Sequence, residues 1–257
     1  MAYQEADPHG AESFDYYLNS LFDSQAYAVF CERVYGRDLT QFNAFDETQL
    51  QILLSKLHQL KPERILDLGC GLGRITEFIA RNTSSKIVGM DFTPGNIKAA
   101  NARAVCIDNL KFAVGNLNSL SKFPGQFDLI LAIDSLCFVT DLNVTFNSLR
   151  EKLSPQGTII AFHSYRNKDT SMLGPIDPTH SAVGRALTLT GFSYEVHDYT
   201  EAEQKIWERA LASAHSLKIK FDEEQNTKIC EDRIWEAKRT LEWLRDGRYC
   251  RSMFIAQ

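Results

Sequence analysis

The residues best suited to chemistry lie in the run Ile65-Leu66-Asp67-Leu68-Gly69-Cys70-Gly71-Leu72-Gly73-Arg74. Apolar residues pass here into a glycine-rich turn, and the pattern beyond it reads as a helix. Glycines allow a tight turn and let a ligand approach the backbone, while the helix start offers free N–H groups and a positive dipole end. A dinucleotide fingerprint begun at Gly69 needs its third glycine at position 74, where this chain has Arg74. The pattern is instead G-x-G-x-G behind an acid. A second acid, Asp91, follows Gly73 by 18 residues (91 − 73) at the expected end of the next strand. An acid there accepts hydrogen bonds from both hydroxyls of a ribose. Its plainer alternative is to cap the helix that begins at Pro94.

Alternating strands and helices must position these residues. Strands are expected at 64–69, 86–92, 110–116, 127–134, 158–165, 192–199 and 249–256. Helices fit 74–82, 94–106, 141–153, 181–190, 201–217 and 222–245. Near-continuous apolar runs such as Leu129-Ile130-Leu131 fit strands covered on both faces, hence a mostly parallel, doubly wound α/β sheet. Ahead of it, residues 12–35 read as one helix with an aromatic stripe that includes Tyr16, Tyr17 and Tyr27. A linker with Asn43 follows. Asp46, with Gln49 three residues on, starts a capping-box-like helix that Lys61-Pro62 ends.

Four segments now read together: Asp67-Leu68-Gly69-Cys70-Gly71-Leu72-Gly73; Val88-Gly89-Met90-Asp91-Phe92; the strand ending Ile133-Asp134; and Leu153-Ser154-Pro155-Gln156-Gly157-Thr158-Ile159-Ile160. Over roughly residues 47–200 the chain resembles a class I S-adenosylmethionine-dependent methyltransferase. The resemblance implies a Rossmann-like seven-stranded sheet, mostly parallel with the last strand antiparallel. It divides the chain into an N-terminal helical cover, 1–46, and a methyltransferase domain, 47–257, with a helical insertion at about 201–245. It further implies that Gly69, Gly71 and Gly73 present backbone to S-adenosylmethionine, which leaves as S-adenosylhomocysteine. Asp91 takes the ribose, Phe92 packs on adenine, and Asp67 reaches the methionyl ammonium. Cys70, Arg74, Leu117 and Ile133 complete that cradle. Where the family often has Asp after the third strand this chain has Asn116, whose carbonyl still accepts from the adenine amine or else forms a turn.

Methyl transfer from a sulfonium rests mainly on alignment, and a base is needed only where the acceptor must lose a proton. Acceptor residues are expected where the fourth and fifth strands end, at Asp134 with Ser135 and at His163 with Tyr165. Asp134 suits an acceptor ammonium or the methionyl group, and a turn or cap is its bland role. His163 titrates near neutrality and is the candidate base, with a backbone-bonded strand-end histidine as alternative. His180, in the following loop, is a weaker option. The resemblance places Tyr16 and Tyr17 on the acceptor, Tyr17 also in catalysis, because ring faces attract cations.

Nucleic-acid amino-methyltransferases usually carry Asn/Asp-Pro-Pro-Tyr/Phe after the fourth strand. Here Asp134-Ser135-Leu136-Cys137 stands instead, and Cys137 lacks the Pro-Cys context of cytosine C5 chemistry. The helical segment before the last strand is similar in layout to phosphoethanolamine and glycine/sarcosine methyltransferases, although Phe138 replaces the histidine of the former. The expected acceptor is a small molecule: an amine first, an oxygen nucleophile second. A non-catalytic S-adenosylmethionine-binding partner protein, acting through the 201–245 helices, is the alternative from another class. Arg74 speaks against a nicotinamide enzyme.

Composition agrees. The 257 residues carry a net charge of −5, with 44% hydrophobic and 24% charged residues, as in an ordinary globular chain with a sizeable core. Mild acidity argues against nucleic acid as partner. Six scattered cysteines form no C-x-x-C pair, so neither a metal knuckle nor a redox pair is expected. The expected setting is the cytoplasm, with no membrane partner and no metal; oligomeric state is not legible.

Overall fold

The computed structural model describes residues 17, 20–167, 174 and 176–257. Tyr16 and the start of the expected 12–35 helix lie outside them. The chain forms a seven-stranded sheet in the order β3-β2-β1-β4-β5-β7-β6. Its strands are β1 (Arg64–Leu68), β2 (Lys86–Asp91), β3 (Leu110–Val114), β4 (Phe127–Ile133), β5 (Leu153–Arg166), β6 (Tyr194–Asp198) and β7 (Tyr249–Ala256). Parallel pairing runs from β3 to β5, and β7 lies antiparallel to both β5 and β6. The helices are α1 (Gln25–Tyr35), α2 (Glu47–Leu60), α3 (Arg74–Arg81), α4 (Pro94–Arg103), α5 (Leu142–Lys152), α6 (Ala182–Leu189), α7 (Thr200–Glu223) and α8 (Thr227–Arg245).

Period-two alternation sends successive strand residues to opposite layers. Leu129, Leu131 and Ile133 pack with Leu53, Leu57 and Ile79 on one face, while Ile130 and Ala132 pack with Phe146, Leu149 and Val183 on the other. Both faces are thus buried, which explains why the β4 sequence is almost wholly apolar. A third core lies away from the sheet. There Tyr27, Phe30 and Val34 of α1 meet Ile206, Trp207, Ala210, Leu217 and Phe221 of α7 and Ile229 of α8. The aromatic stripe and the late helices, remote in sequence, therefore bury one another.

Three expectations are corrected. The 12–35 segment is not one helix. Ser24 takes an extended conformation (φ −87°, ψ 116°), and its hydroxyl accepts the Tyr27 N–H, so α1 begins at Gln25. Glu224, at the turn between α7 and α8, accepts from the Ser24 hydroxyl (2.6 Å) and the Ala26 N–H (2.8 Å), fixing that break from afar. Helix α7 runs to Glu223 rather than 217, because the break falls at Gln225, whose φ of 60° is left-handed. Strand β5 starts at Leu153, opposite Phe127, five residues before the expected Thr158. Elsewhere the expected caps hold: Asp46 accepts the Gln49 N–H at the start of α2, and Lys61 closes it in the left-handed region.

Candidate active site

The strand order reverses between β1 and β4, and ligands of open α/β sheets bind at the carboxyl ends beside such a reversal. The loop after β1 and the loop after β4 meet there. An open cleft between them is lined by the glycine loop, Asp91, Phe92, Leu117, Ile133, Asp134, Ser135, Phe138 and residues 39–43.

The N–H groups of Gly69 and Cys70 both donate to the Met90 carbonyl, at 2.7 and 3.0 Å, which pins the glycine loop to the end of β2. Its glycines do different work. A Cβ at Gly69 would stand 2.5 Å from the Ser135 Cβ, and one at Gly73 would stand 2.6 Å from the Phe112 ring. Both serve internal packing. A Cβ at Gly71 (φ +53°) would meet nothing within 4 Å, so this glycine faces the open cleft. Gly73 begins α3 with no side-chain cap, leaving the first N–H groups of that helix unclaimed by a cap.

Asp91 braces the same loop. Its Oδ2 accepts the Gly71 N–H (3.0 Å) and its Oδ1 the Thr93 N–H (2.9 Å). An ionised carboxylate has about four acceptor sites, so capacity for two ligand hydroxyls remains. Phe92, 40% exposed, lies beside it on the cleft wall, as does Phe138 at the same exposure. Burial pushes the Cys70 thiol well above its usual range, so Cys70 lines the cleft as a neutral group.

Other expected residues are placed away from the cleft. Asp67 is buried behind the loop, where it accepts the Thr76 hydroxyl (2.6 Å), and burial raises its carboxyl to about 6. The Asn116 carbonyl oxygen accepts the Asn118 N–H (2.8 Å), forming the turn after β3. Tyr165 stands on β5 opposite Cys250 and does not line the cleft. Tyr17 reaches it at second hand, edge-on to Phe42 at 5.6 Å. Tyr27 is fully buried, and its hydroxyl donates to the Gln41 carbonyl (2.6 Å), holding a cleft-lining residue in place.

His163 is buried on β5 behind Asp134, facing Ser252 of β7, and it does not line the cleft. Its Nδ1 has no hydrogen-bond partner among the described residues. Burial pushes the imidazole down to about 4. A histidine depressed from about 6.5 to about 4 stabilises the fold fully above 6.5, and that contribution drains away as pH falls to 4. The loss amounts to about 3 kcal/mol. His163→Gln is therefore expected to flatten the decline in Tm between pH 6.5 and 4, as followed by thermal melts; an unchanged acid limb would show that another group governs it.

Sequence reasoning missed two features. Residues 39–43, read as part of a linker, form the cleft wall opposite the glycine loop. The other is Arg251, in the middle of β7 and wholly buried. Its guanidinium grips Asp134 with two bonds, 2.8 and 3.0 Å, so Asp134 is paired within the protein. A charged residue inside an apolar final strand was the available signal, since a buried charge needs a partner.

Comparison with known proteins bears on the fold. Residues 65–157 match the family described as methyltransferase domain. The fold is that of a class I S-adenosylmethionine-dependent methyltransferase. The chain is 21% identical over 265 residues to phosphoethanolamine N-methyltransferase 1 of Arabidopsis thaliana, covering 99% of itself and 54% of that protein. A shorter match, 34% over 108 residues, links 40% of it to 41% of a ubiquinone biosynthesis O-methyltransferase from Azorhizobium caulinodans. The chain thus spans about half the length of these curated relatives. Among solved structures, Haemonchus contortus phosphoethanolamine N-methyltransferase 2, in complex with phosphomonomethylethanolamine and S-adenosylhomocysteine, superposes with a TM-score of 0.73. That match has 16% identity and covers 93% of this chain and 60% of the other. Among the described residues, no cluster of His, Cys, Asp and Glu side chains is arranged to hold a metal. No described helix is long and apolar enough to cross a membrane.

Proposed function

We propose that the chain transfers a methyl group from S-adenosylmethionine to a small-molecule acceptor, with an amine nitrogen as the nucleophile. The observation that carries the reading is the cleft itself: an open glycine at Gly71, the Asp91 carboxylate and the Phe92 ring stand side by side. These groups fit a ligand with a ribose and a flat base. Gly69, Gly71, Cys70 and the start of α3 from Arg74 would hold the methionyl end, with Asp67 acting through the loop. Asp91 would hold the ribose, and Phe92, Leu117 and Ile133 the adenine side, with Asn116 shaping the turn beneath. S-adenosylmethionine supplies an activated methyl on a sulfonium when bound. The similarity to phosphoethanolamine N-methyltransferase 1 extends over 99% of the chain, whereas the O-methyltransferase match covers only 40% of it. That difference favours nitrogen over oxygen.

The work left to the protein is to orient the acceptor and exclude water. Phe42, Phe138 and Phe92 give the cleft aromatic walls suited to both. We assign no proton transfer to His163, and Tyr17 supports Phe42 at the wall. Asp134 is already paired with Arg251. The acceptor amine then sheds its proton to solvent before attack. Methyl transfer to an amine should therefore quicken with pH along the acceptor's own ammonium titration, and His163→Gln should leave that profile in place. An acid rate limb of the wild type that disappears in this variant would restore His163 as the base. The reading includes no nucleic-acid or membrane partner and a cytoplasmic setting.

A further inference from the structure

The mechanism leaves unused a buried polar network centred on Arg251. Its Nε donates to the Gln49 Oε1 (2.8 Å), its Nη1 to Asp134 Oδ1 (2.8 Å) and to the Ser164 hydroxyl (2.8 Å), and its Nη2 to Asp134 Oδ2 (3.0 Å). The Ser164 hydroxyl in turn donates a hydrogen bond to Glu203 Oε2 (2.8 Å), while Glu203 Oε1 accepts from Trp207 and Tyr249, both at 2.8 Å. Arg251, Glu203 and Gln49 are each wholly buried. Burying these charges is costly unless they are paired and hydrogen-bonded, and here four of the five Arg251 N–H groups and both Glu203 oxygens have partners.

Two bonds lead from this hub to the cleft wall. Asp134 Oδ2 accepts the Ala44 N–H (3.3 Å), and the Gln49 amide donates to the Ala44 carbonyl (2.9 Å). Ala44 directly follows residues 39–43, the wall opposite the glycine loop. Asp134 itself has a left-handed φ of 53°, a conformation that costs about 1–2 kcal/mol in a residue with a side chain and that the double grip of Arg251 maintains.

We propose that Arg251, Asp134 and Gln49 form a latch that holds residues 39–45 as the wall of the cleft, with Arg251 the positioning residue. The cofactor role of that cleft rests on the methyltransferase reading; the latch does not. Because its ends sit on β7, the β4 loop and α2, and Glu203 brings in α7, the latch registers the N-terminal cover and the late helices against the cofactor side of the sheet. It also takes Asp134 out of service as a free anion for an acceptor ammonium.

Hydrogen–deuterium exchange and S-adenosylhomocysteine calorimetry on the full chain test this, using Arg251→Lys, Asp134→Asn and Gln49→Leu. Gln49 does not line the cleft, so its variant loosens the latch without touching a cleft group. The latch predicts about tenfold faster exchange of the amides of 39–45 in Gln49→Leu and Asp134→Asn, with β1 and β4 still protected. It predicts about tenfold weaker S-adenosylhomocysteine binding in the same two variants. Arg251→Lys keeps the charge but loses the fork, and should follow them rather than rescue. Unchanged exchange at 39–45 in Gln49→Leu would overturn the latch, as would an Arg251→Lys protein that exchanges like the wild type. Wild-type protein that fails to bind S-adenosylhomocysteine would sink the methyltransferase reading alone, because the exchange result still decides the latch.

Discussion

Asp91→Ala is expected to weaken S-adenosylhomocysteine binding by about 100-fold or more. On the proposed reading two charge-assisted hydrogen bonds to the ribose would be lost, each worth about 1.5–3 kcal/mol. The variant also strips the Gly71 and Thr93 N–H groups of their acceptor, so the glycine loop loses its brace as well as the ligand its partner. Asp91→Asn separates the two effects. Its carbonyl still accepts one hydrogen bond, but its amide cannot accept the Gly71 N–H, so binding should fall between wild type and alanine. Titration calorimetry reads all three. Equal affinity in wild type and Asp91→Ala would remove Asp91 from the cofactor site and leave it as a turn residue.

Gly73→Ala carries the largest expected cost to the fold. The backbone there has φ +76°, and the added Cβ would lie 2.6 Å from the Phe112 ring and 3.1 Å from the Ala100 Cβ. Left-handed strain of about 1–2 kcal/mol adds to overpacking of about 1–3 kcal/mol. A loss near 3 kcal/mol corresponds to roughly 6–12 °C in Tm for a chain of this size. Gly71→Ala is the control, because its Cβ would enter open space and only the backbone strain remains. It should cost about 1 kcal/mol while crowding the cleft. Phe112→Leu should recover part of the Gly73→Ala loss by yielding room. If Gly73→Ala melts no lower than Gly71→Ala, the packing account of the glycine loop fails.

The sheet was legible because its signals are local. Apolar runs in β1 and β4, the Asp46 cap and the left-handed stop at Lys61 each act within a few residues. The glycine loop and Asp91 were legible for the same reason: a tight turn and a strand-end acid leave a pattern in the sequence. What sequence reading missed depends on partners far along the chain. Ser24 breaks the N-terminal helix with help from Glu224, 200 residues away. Gln49 looked like half of a capping box, yet its side chain turns inward to Arg251, 202 residues on. Asp134 read as a free carboxylate because nothing near it announces the arginine on β7. His163 shows the same gap, since its ordinary pKa invites a catalytic reading and only burial removes it.

The measurement that bears most directly on function is label transfer. The protein is incubated with methyl-labelled S-adenosylmethionine and a metabolite extract, and products are read by mass spectrometry, with Asp91→Ala alongside. The account predicts a labelled small molecule, with the methyl on nitrogen, formed by wild type and not by the variant. Wild-type protein that binds S-adenosylhomocysteine yet labels nothing would favour a non-catalytic partner protein. Tighter binding of a nicotinamide cofactor than of S-adenosylmethionine would contradict the account outright.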